Sequence, residues 1–259
     1  GAKTADGKPV KDPSAFGYEM QTDNGTVRAK KMGNWIIHCS LYILVVISTD
    51  KCADEGKKGE DVNSMQEYRL VWSDDFDYPG ILDSTKWVHD IGDGCNLPSG
   101  CGWGNNELQY YTSSSDNSYV SDGNLIIEAK EESISGSSYS SARMITAGKQ
   151  EFIYGRIDVR AKLPEGQGIW PAIWMLGADI FTDGWPACGE IDIMELVGHE
   201  PNRIHGTAHW GNQGNPSTYQ GNGFTLSGGS KYSDEFNVFS IIWENDNIKW
   251  LMNDQEFFS

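Results

Sequence analysis

The sequence predicts an all-β protein, most simply a two-sheet antiparallel sandwich. Glycine (30), tryptophan (10) and tyrosine (11) are abundant, whereas long Leu, Ala, Glu and Lys blocks typical of helices are missing. From residue 68 onward, short runs with alternating or continuous apolar character follow one another, and each is closed by Gly, Asn, Asp, Pro or Ser. Because no convincing amphipathic helix separates these runs, they indicate antiparallel strands packed as a sandwich rather than alternating strands and helices.

Eight runs carry this prediction. They are YRLVWSDDF, GNLIIEAK, FIYGRIDVRAKL, GIWPAIWML, GEIDIMELV, HGTAHW, FNVFSIIWE and IKWLMND.

The pattern of apolar and polar residues changes near Tyr68, and this change divides the chain into a leader, 1–67, and a globular domain, 68–259. The leader is polar up to residue 31 and then contains an apolar stretch, 35–48, flanked by basic residues before it and a charged segment after it. That order is typical of a secretory signal peptide. The stretch is shorter than the roughly 20 residues of a membrane-spanning helix.

Three interpretations of the apolar stretch stay open. Cys52 could be the lipid-bearing first residue of a bacterial cell-surface lipoprotein, which would provide a membrane tether, although Thr49, Asp50 and Lys51 are not the small residues expected before such a cysteine. The stretch could instead direct ordinary secretion or form part of a longer anchor. It could also be a buried core segment.

The formal net charge of −17 argues against a nucleic-acid partner, because phosphate binding needs clustered Lys and Arg. A neutral substrate and an exported, soluble monomer are expected. Cys95 and Cys101 bracket a short loop and could form a disulfide in an exported protein, with free buried thiols as the alternative.

The segment GEIDIMEL contains three acids, Glu190, Asp192 and Glu195. On a regular strand Glu190 and Asp192 share a face, but Glu195 points to the opposite one. A β-bulge at Ile193 or Met194 would return Glu195 to the face of the other two, and bulges are common beside active sites. A plain solvated strand face is the alternative.

Tryptophans around this segment favour a carbohydrate site over the solvated face, since sugar rings stack on aromatic side chains and their hydroxyls need fixed polar partners. Glycosidic cleavage uses two carboxyl groups that flank the anomeric bond, and a separation of about 5 to 5.5 Å between them predicts retention of configuration. Clustered like charges keep one group protonated while another stays ionised. The pattern therefore indicates a carbohydrate cleft whose two glutamates could cleave a glycosidic bond, with retention if they lie at the shorter separation.

The domain resembles glycoside hydrolase family 16, and within it the laminarinase-like endo-β-1,3-glucanases. The resemblance rests on five segments in the family's order: WGNNELQYYT (103–112), GNLIIEAK (123–130), YSSARM (139–144), YGRIDVRAKLPEGQGIWPAIWMLG (154–177) and WPACGEIDIMELVGH (185–199).

The resemblance implies a β-jelly-roll sandwich with a concave cleft for β-glucan. It implies Glu190 as nucleophile, Asp192 as its hydrogen-bonding helper and Glu195 as general acid/base, because the ExDxxE spacing belongs to the β-1,3-glucanases. It also implies a set of substrate contacts: Asn105, Arg143, Trp170, Trp174 and His209. For the two tryptophans, core packing is the alternative.

The resemblance implies no cofactor for catalysis and, in many members, a structural calcium, for which Asp75 and Gly123 match two of the three expected ligands. After IKWLMNDQEFFS (248–259) the family pattern continues with about three more strands, so the sequence predicts a sandwich whose C-terminal strands are missing. A non-catalytic glucan-binding module is the alternative from another class. Mixed-linkage β-1,3/1,4-glucan is the alternative substrate, followed by galactan-type algal polysaccharides.

Overall fold

A computed structural model describes residues 20–23, 26–29, 35–39, 45–48 and 68–259 of the chain, with side chains from residue 68 onward. The described residues form twenty strands, one short α-helix and a 3₁₀ turn at Cys101–Gly104. The all-β class predicted from the sequence is confirmed. None of the helices within these ranges is long and apolar enough to span a membrane.

The strands, in chain order, are β1 (Met20–Asp23), β2 (Thr26–Ala29), β3 (Trp35–Cys39), β4 (Val45–Ser48), β5 (Leu70–Asp74), β6 (Val88–Asp90), β7 (Gln109–Tyr111), β8 (Ser118–Ser121), β9 (Asn124–Ile127), β10 (Lys130–Ile134), β11 (Ser137–Ser141), β12 (Arg143–Ile145), β13 (Gly155–Ala161), β14 (Ala172–Gly177), β15 (Glu190–Leu196), β16 (Arg203–Trp210), β17 (Thr218–Thr225), β18 (Asn237–Trp243), β19 (Ile248–Met252) and β20 (Gln255–Phe258). The helix is α1 (Ile180–Asp183).

Two large sheets carry the fold. A seven-stranded sheet has the order β17-β16-β15-β14-β3-β12-β6, and a six-stranded sheet has the order β20-β19-β18-β13-β4-β5. Their pairings are antiparallel throughout. Smaller sheets are formed by β10, β11 and β7, by β8 and β9, and by β1 and β2.

The core lies between the two large sheets, and the alternation of buried positions shows how each strand contributes to it. In β13, Ile157 and Val159 are buried while the intervening Asp158 is partly exposed. In β16, Ile204, Gly206 and Ala208 face the core, and the alternating residues His205 and Thr207 face the opposite side. Such period-2 patterns bury one face of each strand and leave the other free to build a site.

The apolar stretch 35–48 contributes one strand to each large sheet. β3 pairs with β14 and β12, and β4 pairs with β13 and β5. Cys52 and most of the remaining leader lie outside the described residues, so the division of the chain at residue 67 and the lipid attachment stay predictions.

Candidate functional site

Strand β15 contains the irregularity that the spacing of its acids predicts. Along β16 the register passes from Asp192 to Glu195 across a single residue, Gly206, so Ile193 and Met194 together oppose one position. The pairing of β15 with β14 shifts at the same place. Two residues facing one define a β-bulge. The bulge predicted from the positions of the acids is therefore confirmed.

The bulge has a simple cause in the sequence, because Ile193 and Met194 are both apolar and both are buried in the core. The extra core-facing residue shifts by one position the alternation of side chains between the two faces of the strand, which we call the parity of the strand. As a result Glu190, Asp192 and Glu195 all face away from the core, opposite three residues of β16 that also share that face.

The three acids form a compact group with a histidine from β16. His209 is paired with Glu190 across the strands, and its Nε2 atom lies 3.3 Å from Oδ2 of Asp192. One ligand-type atom each from Glu190, Asp192 and His209 lies within 4.8 Å of the others, the only such trio in the described part of the chain. The carboxyl groups of Glu190 and Asp192 adjoin each other, and their interaction adds to the rise in the pKa of Glu190.

Burial dominates the electrostatics of this group. It raises the pKa of Glu190 well above its ordinary value, with the Asp192 charge adding to the rise and His209 opposing it. Burial raises the pKa of Asp192 similarly, followed by the charge of Glu195. Burial also raises the pKa of Glu195, against the effects of His209 and a hydrogen bond from Trp170. The site therefore retains protons that isolated carboxyl groups would release.

Aromatic rings stand at both ends of the row of acids. At one end, Nε1 of Trp170 donates a hydrogen bond of 3.1 Å to Oε1 of Glu195, and 48% of this tryptophan stays exposed. At the other end, the His209 ring lies 6.1 Å from that of Trp185 and 5.6 Å from that of Tyr219, both of which are exposed. Exposed rings beside a polar row are suited to stacking on sugars.

Arg143, which sequence reasoning assigned to substrate contact, lies on β12 across the same sheet and is only 8% exposed. Its Nε atom donates a 2.7 Å hydrogen bond to Asp90. Its guanidinium lies 3.8 Å from the ring centre of Trp103, 5.2 Å from that of Tyr111 and 5.8 Å from that of half-buried Trp174. These contacts make Arg143 the support of an aromatic wall.

Asn105 belongs to the same wall through a carboxylate. Its side-chain amide donates to Glu107 at 3.2 Å, and Glu107 also accepts hydrogen bonds from Gln109 and from the hydroxyl of Tyr111. Asn105 itself is exposed. It therefore combines a fixed orientation with access to solvent.

The loop that precedes Asn105 is closed by a disulfide between Cys95 and Cys101, the pairing that the sequence left open. Its tight path depends on Gly94, since a side chain there would come within 2.7 Å of the Trp103 backbone. The loop thus holds Trp103 over Arg143.

Several site residues were missed by sequence reasoning. Asp90 and Trp103 lie far from Arg143 in the sequence, and no local pattern connects them. Tyr219 had a weak signal: in TYQGNGFT the alternation puts Tyr219, Gly221 and Gly223 on one face, with a large ring beside open space. The remaining members are Glu107 and Tyr111.

The two residues matched to a calcium site lie elsewhere. Asp75 is exposed, and its carboxylate meets the Ser73 hydroxyl at 3.4 Å. Gly123 is exposed in the turn between β8 and β9 with φ of 72°. An exposed carboxylate and a turn carbonyl are oxygen donors of the kind calcium takes, but they supply only two of the roughly six to eight that it needs.

Fold and site together define a class of protein: a β-sandwich whose open face carries paired carboxyl groups between exposed aromatic rings, an arrangement suited to neutral carbohydrate chains.

The comparisons with known proteins identify the family. The sequence model of glycosyl hydrolases family 16 matches residues 105–258. A beta-glucanase of Rhodothermus marinus is 45% identical over 74% of this chain and 65% of its own length, and the glucan endo-1,3-beta-glucosidase A1 of Niallia circulans is 41% identical over 73% of this chain and 29% of its own length. The chain therefore belongs to glycosyl hydrolases family 16, whose members need no cofactor for catalysis.

Solved structures agree with this assignment. The catalytic domain of an endo-1,3-beta-glucanase (laminarinase) from Thermotoga petrophila superposes with a TM-score of 0.68 at 44% identity, covering 74% of this chain and 76% of that one. The jelly-roll sandwich predicted from the resemblance is confirmed. The chain spans 65% and 29% of the length of the two relatives named above.

The raised pKa of Asp192 has a consequence for stability. A carboxyl group whose pKa is higher in the folded than in the unfolded chain stabilises the fold at acidic pH, and this stabilisation is lost as the pH rises through the folded pKa. Replacing Asp192 by Asn removes the ionisable group. We expect the Asp192→Asn variant to melt at a higher temperature than the wild type at pH 7, by about 2–4 °C for each kcal/mol gained, and to lose this advantage near pH 4.

Thermal melts across this pH range test the expectation, with exposed Asp116→Asn as the matched control. A variant that is less stable than the wild type at pH 7 but equal to it at pH 4 would contradict it.

Proposed function

We propose that this protein is an endo-acting hydrolase of β-1,3-glucan that retains the anomeric configuration. The observation that carries the proposal is the bulged strand β15, which gathers Glu190, Asp192 and Glu195 on one face between exposed aromatic rings. The names of the relatives, a glucan endo-1,3-beta-glucosidase and an endo-1,3-beta-glucanase (laminarinase), support the substrate.

In the proposed mechanism, Glu195 protonates the leaving glycosidic oxygen while Glu190 attacks the anomeric carbon to form a glycosyl-enzyme. Glu195 then removes a proton from the water that releases the sugar, which restores the original configuration. The raised pKa of Glu195 suits a group that must begin the cycle protonated.

Glu190 must be ionised to act as nucleophile, but burial raises its pKa and favours the protonated form. The neighbouring Asp192 can keep Glu190 ionised. Two adjoining carboxyl groups titrate as a pair that shares a proton. Asp192 is only 3% exposed and Glu190 is more accessible, so we place the shared proton on Asp192 and the negative charge on Glu190. His209, beside both, favours the negative charge of Glu190. Glu190 then remains an ionised nucleophile.

The aromatic rings supply the proposed sugar subsites. Trp170, hydrogen-bonded to Glu195, adjoins the leaving-group side, and His209 with its neighbouring rings borders the far end of the acid row. Trp174 and Asn105 complete the substrate contacts, with Arg143 acting through the rings that it supports. The neutral polysaccharide fits a protein of net charge −17.

Product analysis on laminarin, lichenan and agarose tests the proposed substrate. We expect short oligosaccharides of mixed length from laminarin, as internal cleavage requires. Equal or faster cleavage of lichenan would transfer the assignment to mixed-linkage glucan. Laminarin binding without any product would leave a glucan-binding module.

Azide separates the roles of the two glutamates. With an activated aryl β-glycoside, Glu195→Ala still forms the glycosyl-enzyme because a good leaving group needs little acid assistance, and azide should restore turnover and give the β-glycosyl azide. Glu190→Ala lacks the nucleophile, so azide should give the α product instead.

The stereochemistry of the azide product, determined by NMR, shows which glutamate is the nucleophile and which is the general acid/base. The same anomer from both alanine variants would contradict the assignment.

Glu190→Gln should lose at least about 99% of turnover on laminarin while still binding it, given the size of nucleophilic contributions.

We propose further that the protein is exported and acts as a monomer, either secreted or held at the cell surface through lipid on Cys52. The support is the order of basic, apolar and charged residues before position 60. Cys52→Ser should release the protein from cells that express the chain from Met32. Identical partition of both forms, without lipid label, would leave ordinary secretion.

We also propose a structural calcium near Asp75 and Gly123, completed by further oxygen ligands. Binding to the folded state alone at 100 times the dissociation constant would add about 2.7 kcal/mol of stability. The melting temperature should therefore fall on addition of EDTA in the wild type and not in Asp75→Asn, with neighbouring exposed Asp77→Asn behaving as wild type. An unchanged wild-type melt in EDTA would exclude the site.

A further inference from the structure

A tryptophan from the six-stranded sheet reaches across the core to the bulge. Trp250, on β19, is 0% exposed, and its Nε1 atom donates a 2.8 Å hydrogen bond to the backbone carbonyl of Asp192. That carbonyl belongs to the residue immediately before Ile193 and Met194. The donor comes from a residue 58 positions away in the sequence. It is therefore a tertiary contact made directly to the backbone of the candidate catalytic strand.

The room for this contact is provided by Gly206, the single residue that opposes the bulge. Gly206 occupies a core-facing position of β16, between Ile204 and Ala208. A Cβ atom there would lie 2.4 Å from Cδ1 and 2.9 Å from Nε1 of Trp250. Any side chain at this position would therefore displace the indole from the Asp192 carbonyl.

Contacts within the six-stranded sheet also fix the position of the indole. Trp250 pairs with Ile241 on β18 and with Phe258 on β20, and its ring centre lies 4.7 Å from that of Phe258. The N–H group is thus held at a defined place by three strands of the opposite sheet. A rigid donor of this kind can impose one geometry on the backbone that it contacts.

We propose that Trp250 and Gly206 together form a positioning device that holds the β-bulge and thereby keeps Glu195 on the face of Glu190. The proposal rests on the role of Glu195 as general acid/base given above. The competing state of β15 is a regular strand, in which a one-residue change of register turns Glu195 toward the core. A hydrogen bond at the carbonyl before the bulge favours the bulged state, because that carbonyl is buried and needs a fixed partner.

The device acts on one catalytic group and not on the other. Glu190 and Asp192 lie before the bulge and keep the parity of a regular strand, whereas Glu195 lies after it. Loss of the donor should therefore reduce acid assistance and leave nucleophilic attack nearly intact. This asymmetry separates positioning from a general loss of structure.

The test compares kcat/KM on two substrates for the full chain and its Trp250→Phe variant. Laminarin has a sugar leaving group that needs protonation, and a 2,4-dinitrophenyl β-laminaribioside does not. We expect kcat/KM on laminarin to fall by at least about tenfold and that on the aryl glycoside by less than about threefold, given the usual size of general acid catalysis. The limb of the pH profile assigned to Glu195 should flatten in parallel.

Two further variants separate the hydrogen bond from packing. Benzothienylalanine at position 250 replaces the ring N–H by sulfur and leaves the shape of the side chain nearly unchanged. Gly206→Ala retains Trp250 but displaces its indole from the Asp192 carbonyl. In both variants kcat/KM should fall more on laminarin than on the aryl glycoside.

Trp243→Phe is the matched control, since Trp243 is a buried tryptophan of the neighbouring strand β18. It should lower activity on both substrates to the same small extent.

Equal losses on the two substrates, or unchanged activity in the benzothienylalanine protein, would overturn the proposal. If Trp250→Phe does not fold, the benzothienylalanine protein decides alone, because its core volume is preserved. A wild-type protein that cleaves the aryl glycoside but no glucan would refute the proposed function instead, so the two failures are distinguishable.

Discussion

The site depends on one constraint, the parity of strand β15. Side chains of a strand alternate between its faces, so acids at positions 190, 192 and 195 can meet only if one extra residue is absorbed between the second and the third. The pair Ile193 and Met194 absorbs it by placing two apolar side chains in the core where a regular strand would place one. The bulge therefore adds an apolar side chain to the core and also brings the three acids to one face.

Gathering the acids opposes the stability of the fold. Burial raises the pKa of all three, and a neighbouring carboxylate adds to the rise for Glu190 and Asp192, so the folded chain holds protons that the unfolded chain would release at neutral pH. Such a group persists only if surrounding contacts outweigh its cost. Here those contacts are the Trp170 hydrogen bond to Glu195, the proximity of His209, and the strand pairings that fix the backbone on both sides.

The sequence allowed the sandwich and the bulge to be predicted because both follow from periodicity, which is a local property. It did not allow the surroundings of Arg143 to be predicted, since Asp90 lies 53 residues before it and Trp103 follows a disulfide-closed loop that is distant in sequence. Arg143 was recognised as a site residue, but the resemblance could not show that its guanidinium faces rings. Residues 35–48 illustrate a different limit: a continuous apolar run has the same composition in a signal peptide and in a strand of a sheet, so composition alone does not distinguish the two.

The contact between Trp250 and Asp192 extends this argument from one sheet to the other. A site built only on the seven-stranded sheet would depend on local strand pairing, and a register change of one residue would abolish it. Because the indole N–H reaches the bulge from the opposite sheet, the correct parity of β15 is coupled to the packing of β18, β19 and β20. The empty side-chain position at Gly206 is the condition for that coupling. The residues that decide where Glu195 points are therefore buried ones that touch no substrate, and the core of this sandwich is part of the machinery of its open face.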